Sequence, residues 1–237
     1  IGLAKVGNRV LLIDSDPQAS LTASMGSREP DRLDKTLAAV ITSIMEGQEI
    51  EAEYGLLSHE EGVCFLPANI DLAAVEVSLI SAMSREYMLK EYIEVVAPYY
   101  DYIIVDCMPS LGMLTINALA AADTVLIPLQ AQYLSLKGLE QLIATIMRIK
   151  KRINPALAFE GILLTMVDAR TNYAREIMEM VRGNYGQRIP VFENYIPLSV
   201  RVSEASAEGK SIFAHDPKGR ASVAYEALTK EVLAHGR

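Results

Sequence analysis

The chain has 237 residues, 51% of them hydrophobic and 22% charged, with a formal net charge of −8. These values fit one globular domain with a sizeable core and exclude a disordered or fibrous chain. No run of about 18 apolar residues occurs, so no membrane-spanning helix is expected, and no signal peptide is recognisable. The acidity is uneven. Residues 1–136 hold 7 Lys and Arg against 19 Asp and Glu, whereas residues 137–237 hold 15 against 11. An acidic chain of this kind still offers local basic surface in its second part. The two cysteines, Cys64 and Cys107, lie far apart in apolar runs and read as buried thiols of a reducing compartment. With only His59, His215 and His235 beside them, no zinc-ligand cluster is expected, and each histidine reads as a surface or satisfied residue.

In chain order, the opening IGLAKVGNRV reads as the tail of a helix, a turn at Gly7-Asn8 and the start of a strand, so a preceding segment is expected. The strand covers Arg9–Ile13. Apolar spacing at Leu37, Val40, Ile41 and Ile44 predicts a helix over Asp34–Met45. Residues 47–61 are acidic and turn-rich and read as a surface excursion. A strand over Val63–Leu66 closes at Pro67. Helices follow over Asp71–Ser81, with Asp71 as N-cap, and over Glu86–Val96. Next come a strand at Tyr102–Val105 ending in Asp106, a helix over Leu114–Ala122 and a strand over Thr124–Leu129. A long helix over Leu136–Arg152 stops at Asn154-Pro155. The rest reads as a strand at Phe159–Val167, a helix over Tyr173–Tyr185, a short strand at Val191–Phe192, and closing helices over Val200–Ala207 and Lys218–His235. Met178 and Met180 on the Tyr173 helix read as core or dimer packing. YIIV and VLIPL are apolar without alternation, the mark of parallel strands buried on both faces. Repeated β-α units of this kind give a doubly wound α/β architecture with a mainly parallel sheet.

Two strands end in acid. VLLIDSDPQ places Asp14 and Asp16 at a strand's carboxyl end, where α/β sheets carry their chemistry. YIIVD places Asp106 the same way, four apolar residues then Asp, the pattern of an acid that holds Mg²⁺ beside nucleotide phosphates. Each signal alone has a plain alternative. Strands often end in Asp because they end at solvent, and Asp16-Pro17 also reads as a turn start. Together the two strand ends converge on one edge of the sheet.

Five blocks stand in order along the chain: VLLIDSDPQASLT, LPANIDLAAVEVSL, YDYIIVDCMPSLGMLTINALAAADTVLIPLQAQYLSLKGL, GILLTMVDART and IPLSVRVSEASAEGKSI. They resemble the ParA family of partition ATPases in its Soj-like branch, within the deviant Walker-type superfamily that includes MinD and the nitrogenase iron protein. The resemblance implies a phosphate-loop NTPase fold in a single ATPase domain over residues 1–237, with ATP and Mg²⁺ as cofactors. By that match Asp14 supports the Mg²⁺ shell, Asp16 orients or activates the attacking water, and Asp106 is the Walker B acid. Gln18 and Pro197 fall at the nucleotide, Pro197 where the family's adenine pocket lies. The family's KGGVGKTT-like loop precedes this strand by one helix, and no G-x-x-x-x-G-K-[ST] occurs in the chain. The first strand and phosphate loop are therefore expected to be missing. Two internal sheet edges should then be unpaired, and this chain alone should not hydrolyse ATP. Mild departures stand at Met108-Pro109, where the family often has Pro-Pro, and at Ser203–Ala207, where it often reads SEAPS.

The resemblance further implies an ATP-driven homodimer, DNA binding without sequence preference, and a ParB-type partner that stimulates hydrolysis. The protein would be cytoplasmic and nucleoid-associated, with no membrane partner. Arg201 leads the expected DNA face, followed by Lys210, Lys218, Arg220 and Lys230. The cluster Arg148–Arg152 ends a helix and suits its dipole. Three other readings compete. A MinD-like membrane-cycling ATPase would need a basic amphipathic terminal helix, and this chain ends in the mixed-charge YEALTKEVLAHGR. An iron–sulfur reductase would need cluster cysteines at a dimer face. A non-catalytic paralogue would bind DNA or partners without turnover.

Overall fold

The computed structural model describes residues 1–235. The chain divides into two compact units, Leu3–Ala122 with Ser206–Ser211, and Asp123–Ala205 with the residues from Ile212 onward.

The first unit is built around β1 (Val10–Ser15). A short helix α1 (Gly2–Lys5) leads into it through a turn at Gly7, whose φ of +95° suits glycine. β1 is flanked by β3 (Cys64–Leu66) and β4 (Tyr102–Cys107), both parallel to it, and β2 (Leu57–Ser58) pairs antiparallel outside β3. Alternate side chains of β1 feed two cores. Leu11 and Ile13 pack with α3 (Leu37–Met45), α4 (Asp71–Leu79), α5 (Met88–Val96) and α6 (Met113–Ala121) through Leu37, Ile41, Leu72, Leu89, Tyr92 and Leu114. Val10 and Leu12 pack on the other face with Phe65, with Leu3 of α1, and with Leu21 and Met25 at α2 (Ser20–Ser24). Helices therefore cover both faces of a mainly parallel sheet, the doubly wound arrangement expected from the buried strands.

Several elements depart from the sequence expectation for identifiable reasons. β1 and β4 each run past their apolar residues, because Asp14 and Ser15 keep their pairing with Asp106 and Cys107. Cys107 is consequently exposed rather than buried, while Cys64 is half-buried. α2 was invisible to periodicity because it is one turn long. The excursion at 47–61 carries β2. Asp71 is not the N-cap: Ile70 holds that place, and Asp71 stands in the first turn, where its Oδ2 accepts from Asn69 Nδ2 at 3.1 Å.

The expectation of strands buried on both faces fails at β4. That strand is paired by β1 alone among the described residues, and Ile104 is 44% exposed.

In the second unit β5 (Thr124–Gln130) pairs in parallel with β6 (Ala158–Thr165), a two-stranded sheet extended by single bridges at Val191 and Pro197. The register slips by one residue at Glu160-Gly161, a bulge. Gly161 has φ +153°, and a Cβ there would lie 2.9 Å from the Phe192 ring, so glycine is required. Pro128 and Thr124 of β5 are exposed, again unlike a strand buried on both faces.

Around the sheet stand α7 (Tyr133–Arg152), α8 (Asn172–Tyr185), α9 (Val200–Ala207), the short α10 (Ile212–His215) that the sequence reading lacked, and α11 (Arg220–His235). Lys150, Lys151 and Arg152 occupy the last turn of α7, where the helix dipole favours them. Thr171 caps α8, its hydroxyl accepting from the Ala174 amide at 3.2 Å. Met180 is exposed and Met178 half-buried, so α8 does not place both methionines in a core. Leu163, Phe192 and Ile196 form a core with Tyr225, Leu228 and Val232 of α11. No described helix is long and apolar enough to cross a membrane.

One buried amide ties three segments of the first unit. Asn117 of α6 donates through Nδ2 to the carbonyls of Arg85 and Met113 at 2.8 and 2.9 Å and accepts from the Leu89 amide at 3.2 Å. Asn117→Leu strands the Leu89 amide and the Arg85 carbonyl, while the Met113 carbonyl keeps its helix hydrogen bond, so it costs about 2–4 kcal/mol of stability, read by urea denaturation.

Candidate active site

The site grows from the pairing of β1 with β4. Asp14 and Asp106 are register partners on adjacent parallel strands, so their side chains leave the same face of the sheet. Asp16 follows two residues later, where β1 has turned into the loop toward α2. The structure thus brings together the three acids expected from the two strand ends.

Their environments differ sharply. Asp14 is fully buried. Its Oδ1 accepts from the Asp16 amide at 3.1 Å. Its Oδ2 accepts from the Thr22 amide at 2.8 Å and from the Thr22 hydroxyl at 2.6 Å. Burial pushes the Asp14 carboxyl above its ordinary value, the three donors pull it back, and the charge of Asp16 adds to the rise. Asp16 is half-buried, and its Oδ1 accepts from the Gln18 amide at 2.9 Å in an Asx turn. Asp106 is open to solvent on one side and accepts no hydrogen bond from the described residues. Partial desolvation raises its carboxyl first, and the charges of Asp14 and Asp16 raise it further.

Ser15, buried and between Asp14 and Asp16 in sequence, has a hydroxyl without a hydrogen-bond partner among the described residues. It lies on the opposite face with Leu11 and Ile13 and adds nothing to the acid cluster.

Among the described residues, no group of three or more His, Cys, Asp or Glu is arranged to enclose a metal ion. The arrangement instead suits a cation held by one or two carboxylates with the remaining oxygens supplied by water and phosphate, the usual habit of Mg²⁺. Asp106 has free lone pairs for that role. Asp14 has given three acceptor positions to the protein and keeps one on Oδ1.

Thr22 was missed by the sequence reading. It is fully buried, and its hydroxyl also accepts from the Ala68 amide at 3.0 Å, just beyond β3. A threonine six residues past an acid-proline pair carries no periodic signal.

Gln18 is exposed, its amide held by Asp16. Pro197 lies in the second unit and lines a cleft of about 660 Å³ with Asp168, Arg170, Tyr195 and Arg220. In that cleft the Arg170 guanidinium forks onto Asp168 at 2.8 Å and holds its carboxyl down to about 2.

Of the five basic residues expected to face DNA, Lys210 falls in the first unit and the other four in the second. All are exposed. Arg201 pairs with Glu204 at 2.8 Å, Lys210 with Glu208 at 3.1 Å and Lys230 with Glu226 at 2.9 Å. Such exposed pairs are weak and yield readily to phosphate. The three histidines are satisfied as expected, by the Gly209 carbonyl, Glu204 and Glu160.

Asp14 and Asp106 both hold their protons more tightly in the folded chain than in the unfolded one. Below the ordinary carboxylate range both states are protonated and no penalty exists. As pH rises through that range toward the raised values the folded state loses stability, and the penalty is complete above them. Without divalent ions, Asp106→Asn should therefore raise the melting temperature at pH 7 by about 1–3 °C, a gain that fades below about pH 4 in thermal melts.

Comparison with known proteins agrees with this geometry. The AAA domain family profile matches residues 1–159. The sporulation initiation inhibitor protein Soj of Bacillus subtilis is 42% identical over 99% of this chain and 90% of its own length. The chromosome partitioning protein ParA of Myxococcus xanthus is 41% identical over 98% of this chain and 79% of its own. Among solved structures, a cobyrinic acid a,c-diamide synthase from Mycobacterium smegmatis with bound ATP analog and magnesium superimposes with a TM-score of 0.84. It is 35% identical and covers 100% of this chain and 87% of that one. Two acid-ended strands in the right register, and identity sustained over nearly the whole length of partitioning proteins, place the chain in the ParA/Soj family of partition ATPases.

Proposed function

We propose that this protein works as an ATP-dependent switch in chromosome or plasmid partitioning. One observation carries the reading: Asp14, Asp16 and Asp106 gather at the carboxyl ends of two neighbouring parallel strands, one locked, one at a turn and one open. The partitioning relatives, at up to 42% identity, weigh more here than the synthase at 35%.

Magnesium bound beside ATP would neutralise phosphate charge and leave fewer negative charges for an attacking water to approach. Asp106 presents its open carboxylate to that ion. Asp14 keeps a fixed negative charge behind it and orients the 14–16 backbone. Asp16, with Oδ1 engaged by Gln18, keeps Oδ2 to orient a water and take its proton. Gln18 and Pro197 are the nucleotide contacts that this reading assigns. Residues 1–237 act as one ATPase domain that dimerises on ATP and binds DNA through Arg201, Lys210, Lys218, Arg220 and Lys230. A ParB-type partner stimulates hydrolysis on the nucleoid.

The phosphate-cradling lysines and amide nest of a G-x-x-x-x-G-K-[ST] loop are not among these residues, so this 237-residue chain by itself should not turn over ATP. The test measures ATP turnover with and without magnesium, DNA and a ParB-type partner. It uses this chain and a form in which a KGGVGKTT-like loop precedes it. The loop-bearing form should be slow, accelerated by DNA and partner, and at least about 100-fold slower after Asp16→Ala. Turnover by the 237-residue chain would refute its inactivity. Turnover indifferent to DNA, or to loss of Asp16, would refute the switch and favour a MinD-like cycle, and no turnover in either form would favour a non-catalytic role.

A further inference from the structure

Thr22 occupies a position that the three acids do not explain. It is fully buried, stands at the third residue of a one-turn helix, and touches two other segments of the first unit. The Ala68 amide donates to its hydroxyl oxygen at 3.0 Å, and its hydroxyl and amide both reach Asp14 Oδ2, at 2.6 and 2.8 Å. A backbone amide can only donate. The single hydroxyl proton of Thr22 is therefore left for Asp14, and the chain of donors runs one way, from Ala68 through Thr22 to Asp14. Asp14 Oδ1 in turn accepts from the Asp16 amide at 3.1 Å.

We infer that Thr22 is a positioning residue of this site: its hydroxyl sets the orientation of the Asp14 carboxylate and, through Asp14, of the backbone that carries Asp16. The inference rests on the ATPase reading for its catalytic consequence but not for its geometry. Among the described residues the hydroxyl is the only side-chain donor to Asp14, and the two remaining donors are amides fixed by the loop itself. Without it, Asp14 Oδ2 keeps the Thr22 amide alone, and the carboxylate is held less firmly toward the Asp16 amide. The Ala68 amide loses its acceptor at the same time. A threonine that only filled space would show neither effect beyond its own contacts.

Two variants separate these roles in the 237-residue chain. Thr22→Val keeps the shape and removes the hydroxyl, and Thr22→Ser keeps the hydroxyl and removes the methyl. Hydrogen exchange is followed at the Ala68 and Asp16 amides. In Thr22→Val both should exchange at least about 10-fold faster, Ala68 directly and Asp16 through Asp14. In Thr22→Ser both should stay within about two-fold of the parent. In whichever form above turns over ATP, Thr22→Val should lower kcat by about 10–100-fold with KM for ATP little changed, and Thr22→Ser should restore it.

An Asp16 amide equally protected in Thr22→Val would overturn the inference, and so would an undiminished kcat. If Thr22→Val does not fold, loss of Asp16 protection in Thr22→Ser overturns it, and retention supports it. If no form turns over ATP, the ATPase reading fails by itself, and the exchange data still decide what Thr22 does.

Discussion

A buried carboxylate needs partners, and the first unit is organised around supplying them to Asp14. An ionised acid withdrawn from water is tolerated only where hydrogen bonds replace its hydration. Here three donors from two residues do so: the Asp16 amide, the Thr22 amide and the Thr22 hydroxyl. Satisfying Asp14 therefore fixes the path of the chain from residue 14 to residue 22. It also sets the start of α2 and, through Thr22, the residues just past β3. The segment is compact enough that Ala19 adopts a left-handed conformation, φ +53°, as the residue before α2. A non-glycine residue accepts that cost only where its surroundings demand it.

The same constraint divides the labour among three acids. Asp14 is immobilised and uses its lone pairs inward. Asp106, its register partner one strand away, has none engaged by the described residues and faces solvent. Burial raises the proton affinity of both carboxyls, the charge of Asp16 adds to the rise at Asp14, and the charges of Asp14 and Asp16 add to it at Asp106; a cation with water and phosphate ligands would relieve that crowding. Asp16 stands apart from that pair at the head of a turn, half-exposed, with one oxygen spoken for. Residues of one chemical type thus acquire distinct capacities from their positions at two neighbouring strand ends.

The exposed faces tell a related story about β4 and β5. Both strands are apolar enough to lie in the middle of a sheet, yet each is paired on one side alone among the described residues. Ile104 and Pro128 are exposed in consequence. An open strand edge presents unpaired amides and carbonyls, and apolar side chains beside it remain wet. Hydrophobic run length reports how a strand is best accommodated, whereas its actual burial depends on what lies next to it.

That difference separates what could be read from the chain from what had to be seen folded. Parallel strands, their order of acids and the doubly wound class followed from unbroken apolar runs ending in Asp, because both features are local and repeat along the sequence. Asp14, Asp16 and Asp106 were identifiable for the same reason. Thr22 was not, nor its link to Ala68, nor the one-turn helix that carries it. They arise where a loop closes on a buried charge, and neither spacing nor composition encodes that closure. The separate fates of the acids likewise depended on the β1–β4 register, which pairs Asp14 with Asp106 and leaves Asp16 beyond the ladder. Residue types and strand ends therefore came from local pattern. Burial, hydrogen-bond direction and the unequal exposure of the acids came from contacts between segments up to 92 residues apart, Asp14 to Asp106, which only the packed chain brings together.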